Sequence, residues 1–303
     1  MALLAPFFLD TVVAVGVGDE PTKRNWIGTG FIYGNAISAK QPEGPTRYRL
    51  WLITNKHVLR NLHVIYVKFN SAQDTTSADY HIPLVSRNKK PLWVGHPRQD
   101  TDVAAIFLSA TFLESGNRKF ACIQSDQHCL TKAEMKAKGL TEGDRCFTLG
   151  FPMGLVSPQR QYVICRGGVI ARIRDYLDGH VQDYLVDATV FPGNSGGPVI
   201  LCPTNVAVTG TTAISSAALI GIVKSYVPYT DVAISPQTGR ARASFEENSG
   251  LSAVEPLDAI IETVALAEKR LYGRLAQTRH KAKKASEKAA EVRGVNPGDP
   301  KAA

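Results

Sequence analysis

Short stretches in which apolar and polar residues alternate, divided by turn-forming groups, run through most of this 303-residue chain. Residues 10–17 and 27–33 alternate in the strand manner, with Gly18-Asp19-Glu20-Pro21 between them. Residues 34–46 hold Gly, Asn, Gln and Pro and read as a long surface hairpin loop. Arg49–Thr54, His63–Asn70, Pro91–Gly95 and Val103–Leu108 continue the pattern, so this part suits a small β-barrel. From Ala110 to Glu142 the pattern lapses. Thr131–Lys138 favours helix there, and Gly139 is placed to end it. Strand character returns in Arg145–Gly150, Gln161–Arg174, Tyr184–Ala188, Pro198–Cys202, Leu219–Lys224 and Ala241–Glu246, with Pro203–Ser216 and residues 228–240 as surface loops. Beyond Pro256, which suits a first helical turn, Leu257, Ile260, Ile261, Val264, Leu271 and Leu275 follow helical spacing.

The expected fold is therefore mostly β. Two six-stranded antiparallel barrels are followed by a C-terminal α-helix, with the helix stripe expected to pack on the second barrel. The expected divisions are 1–125 for the first barrel, 126–255 for the linker and second barrel, and 256–303 for the helix and a basic tail.

Charge changes the picture only at the end of the chain. Residues 268–303 carry ten Lys/Arg against four Asp/Glu, which is most of the net charge of +8. The basicity is thus a property of the tail, either a solvated end from about residue 277 or a holder for an acidic partner such as nucleic acid or an anionic surface. Tyr272 is the tail's one aromatic residue, so stacking recognition of bases is not indicated. No run of eighteen apolar residues lacks a charge or breaker, so no transmembrane segment is expected. The cysteines (Cys122, Cys129, Cys146, Cys165, Cys202) are odd in number and scattered, which favours a reducing, cytoplasmic location over secretion. Cys122, His128 and Cys129 lack the second pair that a zinc site needs, and no metal or other cofactor is expected.

The candidate chemistry centres on Phe191-Pro192-Gly193-Asn194-Ser195-Gly196-Gly197-Pro198. A serine held among glycines can present Oγ and several backbone N–H groups to one carbonyl, as a nucleophile beside an oxyanion hole must. A general base and an orienting carboxylate are available upstream. His57 ends the apolar run Trp51–Val58, and Asp102 precedes the strand Val103–Leu108. Asp100 is a rival two residues away. The order is His, Asp, Ser, as in chymotrypsin-like enzymes.

These residues resemble the trypsin-like (chymotrypsin-fold) serine peptidases, and most closely the bacterial HtrA-type branch without its PDZ domains. Thr54–Val58 resembles that branch's T-N-x-H-V, and Gly28-Thr29-Gly30-Phe31-Ile32 its G-T-G-F-I strand. Gly150-Phe151-Pro152-Met153-Gly154, Arg166–Ile170 and Asn248–Pro256 resemble later segments, so the likeness covers roughly residues 8 to 265. Asp102 before Val-Ala-Ala-Ile matches the family's D-[LIV]-A better than Asp100 does. The resemblance implies a serine endopeptidase acting on protein or peptide substrates, with His57, Asp102 and Ser195 as triad and the N–H groups of Gly193 and Ser195 as oxyanion hole. It also implies a specificity pocket near Thr189, walled by Ile222, Val223 and Lys224. A neutral Thr189 favours small or aliphatic residues before the cut bond, unless Lys224 turns inward to favour acidic ones. Secreted trypsins carry Asp before the nucleophile to receive a new N-terminal ammonium. Asn194 has no charge for that pair, so activity without zymogen cutting is implied. The family also includes catalytically idle modules that bind peptides or partners, which is the alternative reading.

Overall fold

The computed structural model describes residues 3–37, 46–73, 76–116, 118–204 and 209–273. Of the loop expected across 34–46, residues 34–37 instead belong to a strand that runs to Ile37, and 38–45 fall outside the described residues, as does the solvated basic end expected from residue 277.

In the N-terminal half the strands are β1 (Val12–Val17), β2 (Asn25–Ile37), β3 (Arg47–Thr54), β4 (Val64–Ser71), β5 (Ala78–Pro83), β6 (Trp93–Gly95) and β7 (Ala104–Leu108), with two-residue β8 (Arg118–Lys119) and β9 (Ile123–Gln124). Runs such as Val-Val-Ala-Val in β1 and Leu-Trp-Leu-Ile in β3 are buried on both faces, as β-branched and aromatic residues on a covered sheet should be. The sheet runs β5-β4-β1-β2-β3-β7-β6, with β8 on β4 and β9 on β2. It curves but is not a closed six-stranded barrel. Its outer strands β5 and β6 are joined through the single bridge Val85–Pro91 that follows β5. A bulge at Val15/Gly16 lets the Trp26 ring lie where a side chain at Gly16 would be.

The second half closes fully. Strands β10 (Arg145–Gly150), β11 (Ile164–Arg172), β12 (Tyr184–Asp187), β13 (Pro198–Leu201), β14 (Ala218–Ile234) and β15 (Ala241–Pro256) form a barrel in the order β10-β11-β12-β15-β14-β13, with β13 returning to β10. Between the halves, the expected helix is Lys132–Ala137. Thr131 and Glu134 form its capping box, and Gly139 at φ +69° lies just beyond its end.

Three differences from the sequence expectation are physical. Of the loop expected over 228–240 only 235–240 is a turn, because β14 continues to Ile234 and pairs with β15 as a two-stranded ribbon. Bulges at Val223/Ser225 and Tyr226/Pro228 shift the alternation, and Pro228 sits at one of them, which hid the strand. Second, β11 ends at Arg172, and a short helix Arg174–Asp178 follows, closed by Gly179 at φ +87°. Third, the C-terminal helix, described over 257–273, does not pack on the second barrel alone. Leu257, Ile260 and Val264 join a core shared with Trp51, Ile53 and Val103 of the first half and with Ile200 and Ile222 of the barrel. Arg49 meets Glu268 at 2.7 Å and His96 meets Glu262 at 2.8 Å, while Asp258 accepts from Lys132 N at 2.8 Å. The helix thus ties the halves together. Burial of each of its large apolar side chains contributes about 1.5–3 kcal/mol. Gln161 adds a polar tie, its side chain bonding both Ala14 N and Val12 O of β1.

Candidate active site

His57 is delivered by the end of β3. Thr54 is buried, Asn55 follows in extended conformation, and a single helical turn Lys56–Leu59 seats Val58 and Leu59 in the core, leaving the His57 side chain 45% exposed. The loop into β7 brings Asp102 to it. Asn55 Nδ2 donates to Asp102 O at 2.6 Å, His57 N donates to Asp102 Oδ1 at 3.1 Å, and His57 Nδ1 bonds Asp102 Oδ2. Burial alone would raise the Asp102 pKa, but the bonds from His57 and the backbone outweigh it and hold the carboxyl below its ordinary value. Asp100 points elsewhere. Its side chain is 69% exposed, approaches Arg98 at 3.8 Å and accepts from Thr101 Oγ1 at 3.5 Å.

Ser195 sits on a turn held almost wholly by backbone bonds. Asn194 N donates to Phe191 O, Gly196 N to Val223 O, Gly197 N to Asn194 O and Thr29 N to Ser195 O, all at 2.9–3.0 Å. Thr29 Oγ1 donates to Gly193 O at 2.6 Å and accepts from Phe151 N at 3.1 Å. Gly193 and Gly196 have φ of +100° and +89°, and a side chain at Gly196 would collide with Thr29 O. Among the described residues, the N–H groups of Gly193 and Ser195 donate to no protein acceptor, whereas those of Asn194, Gly196 and Gly197 are engaged. Two unengaged donors flanking one serine suit a developing oxyanion. Ser195 Oγ itself donates to Lys224 O at 3.3 Å, and not to His57.

The remaining sequence candidates are placed differently from one another. Thr189 is half-buried on the segment leading to the turn. Ile222 and Val223 are in packed cores, and Val223 spends its N–H and C=O on Gly197 and Gly196. The strand backbone facing the turn therefore begins at Lys224. The Lys224 ammonium lies 2.9 Å from Glu255, 3.2 Å from Asp183 and 3.1 Å from Asp100 O. Burial would lower its pKa, but Glu255 and Asp183 outweigh that and raise it.

Glu255 is the residue that sequence reasoning missed. It is 1% exposed, and Oε1 accepts from both Asp102 N at 2.8 Å and Lys224 Nζ. A second-barrel carboxylate thus grips the backbone of Asp102. The one signal in the sequence is a Glu within the apolar run Ala253-Val254-Glu255-Pro256, where burial demands a partner. No group of three or more His, Cys, Asp or Glu among the described residues is arranged to hold a metal ion.

A family model described as the trypsin-like peptidase domain matches residues 28–208. Solved structures match as well. The MamO protease domain from Magnetospirillum magneticum, in its apo form, is 16% identical over 84% of this chain and 96% of that one, with a TM-score of 0.45. The HtrA-type protease AlgW with a tripeptide is 18% identical over 85% of this chain and 60% of that one, with a TM-score of 0.42. No curated protein matches the chain.

Proposed function

The chain belongs to the trypsin-like peptidase domain family, and from that premise we propose that it is a serine endopeptidase using Ser195, His57 and Asp102. Ser195 Oγ attacks a peptide carbonyl while His57 takes its proton and returns it to the leaving amine. Asp102 holds the imidazole tautomer with Nδ1–H toward its own carboxylate and stabilises the imidazolium that forms. The N–H groups of Gly193 and Ser195 receive the negative charge of the tetrahedral intermediate, at a loss of about 3 kcal/mol if one is removed. The observation that carries this reading is the His57–Asp102 pair opposite a turn whose two serine-flanking N–H donors are unengaged.

Activity in this reading needs no N-terminal processing. Asn194 is buried and uncharged, so it offers an N-terminal ammonium no counter-charge, although its Oδ1 has no hydrogen-bond partner among the described residues. The residue before the cut bond is small or aliphatic, since Thr189 is neutral and Lys224 is committed to Glu255 and Asp183. The five free thiols fit a reducing compartment. A peptide library cut by the full-length, unprocessed chain tests these statements together. Cleavage after Val, Ala or Leu that disappears in Ser195→Ala supports them, and cleavage dominated by Lys or Arg rejects the pocket assignment.

The second reading is a catalytically idle peptide-binding module. It is favoured by one feature, the Ser195 hydroxyl bonded to Lys224 O in place of His57. In the endopeptidase reading a single χ1 rotation of Ser195 frees Lys224 O for the backbone of the bound substrate. Failure of any substrate or acylating probe to react at Ser195 would favour the idle module.

A further inference from the structure

A second cleft, of about 610 Å³, opens beside the candidate site, with Thr22, Arg24, Trp26, Lys68, Asp79 and Gly154 in its wall. Its position follows from contacts on the way to Ser195. Phe151 O, Met153 N and Gly154 N crowd Gly193, and Gly154 in turn sits against Trp26, whose O lies 2.9 Å from where a side chain would start. Arg24, just before β2, and Trp26 on it precede Gly28, which packs on Val58 beside His57, and Thr29, whose N–H holds the Ser195 carbonyl. His57 gives its proton to the leaving amine, so the β2 side of Ser195 is the leaving-group side, opposite the Lys224 strand. Three to five residues of strand span about 10–17 Å. That is the reach of roughly three to five extended substrate residues beyond the cut bond.

The charges in this cleft do not balance. Arg24 and Lys68 are 3% and 7% exposed, and both pair with one carboxylate, Asp79, at 2.9 and 3.1 Å. Arg24 also donates to Gly18 O and stacks on the Tyr66 ring, with its Cζ 3.5 Å from the ring centroid, while Lys68 Nζ lies 5.4 Å from the centroid of the Trp26 ring. The other nearby carboxylates are occupied. Tyr66 Oη donates to Asp19, and Glu20 pairs with Lys23 at the surface. Among the described residues, Arg24 Nη2 and two of the three Lys68 donors have no acceptor. Two cations sharing one carboxylate leave an excess positive charge on the cleft wall, and the remaining donors bind a carboxylate through short, charge-assisted bonds. A purely structural ion pair would need only one of the two cations.

We propose that this cleft is a subsite for a carboxylate carried by the substrate roughly three to five residues past the cut bond, either an acidic side chain or the chain's own C-terminal carboxylate. The inference rests on the endopeptidase reading for its direction along the substrate, but binding can be measured without catalysis. The probes are peptides titrated calorimetrically into the full-length Ser195→Ala protein. One is neutral and amidated, one has Glu three residues past the scissile position and is amidated, and one is neutral with a free C-terminal carboxylate at that distance. The carboxylate-bearing peptides should bind about tenfold more tightly than the neutral one, and the two of them separate the side-chain from the C-terminal source. Lys68→Met, which leaves the Arg24–Asp79 pair intact, should erase that ratio while keeping the neutral peptide's affinity. Asp79→Asn, which removes the wall's one carboxylate, should raise the ratio and covers the case in which Lys68→Met fails to fold. Equal affinities for all three peptides, or a ratio indifferent to both substitutions, would overturn the proposal. Failure of the endopeptidase reading would appear separately, as absence of cleavage by the native chain with the binding ratio intact.

Discussion

The two halves of the molecule hold their contributions to the cleft by different means. The first half positions side chains. His57 and Asp102 are locked to each other, and Asn55 and Glu255 fix the backbone of Asp102. The second half positions backbone. The Ser195 turn is held by main-chain bonds and by Thr29 reaching across from β2, while the Ser195 side chain bonds Lys224 O. A curved sheet whose ends meet through one bridge suffices for the first task, because the pair carries its own geometry. In the endopeptidase reading a closed barrel suits the second, because two N–H directions have to be fixed with no side chain to steer them. Each half also lends the other a residue at the critical point, Thr29 to the serine turn and Glu255 to Asp102.

Substitutions break this comparison at successive points. Asp102→Asn removes the acceptor that fixes the imidazole and should lower kcat about 10⁴-fold in steady-state assays, with Tm little changed. Combining it with Ser195→Ala should add far less than the product of the two losses, because the three residues act as a unit.

Glu255→Gln weakens the link between the halves, because an amide oxygen still accepts from Asp102 N but carries no charge. It leaves Lys224 a weaker buried partner and should cost about 3 kcal/mol in denaturant unfolding, with a drop in kcat from a looser Asp102. Unchanged stability and rate would mean that the Glu255 carboxylate, which accepts from Asp102 N, plays no part in joining the halves.

Thr29→Val attacks the backbone scaffold alone. Gly193 O and Phe151 N lose their partner, so about 2 kcal/mol of stability and about tenfold in kcat should go, with KM unchanged.

The smallest effect is expected away from the cleft, at Glu142. Burial would raise its pKa, but the N–H groups of Ile173 and Arg174 at the start of the short helix outweigh that and lower it to about 2. Because the folded value is depressed, its stabilisation is present above the ordinary value of 4.5 and is lost as pH falls toward about 2. Glu142→Gln should cost about 1 kcal/mol at pH 7 and nothing below pH 2, without any change in rate.

Much of this arrangement was legible in the sequence because its signals are short and contiguous. The glycine turn around Ser195, the Asn-Lys-His run after β3 and the carboxylate before β7 are each read within a few residues, and Thr131 with Glu134 announces its helix. What was not legible depends on distant chain coming together. Choosing Asp102 over Asp100 by geometry requires the loop's conformation, and Glu255 gains a role only when β15 lies beside that loop. The ribbon of β14 and β15 escaped because bulges reset the two-residue period. The apolar stripe of the C-terminal helix gave Leu257, Ile260 and Val264 of its buried face but wrongly included the exposed Ile261, and it did not give the neighbours, which come from both halves. The buried imbalance of Arg24, Lys68 and Asp79 is likewise invisible until β2, β4 and β5 are assembled.

The central claim is that Ser195 is a competent nucleophile in the chain as it is made. Its most direct test is reaction of the full-length, unprocessed protein with a fluorophosphonate, followed by intact-mass measurement and mapping of the adduct. One phosphonate on an otherwise uncut chain, located on Ser195 and absent from Ser195→Ala and His57→Ala, is the predicted result. An adduct that survives Ser195→Ala, or no adduct in a natively folded protein, would contradict it.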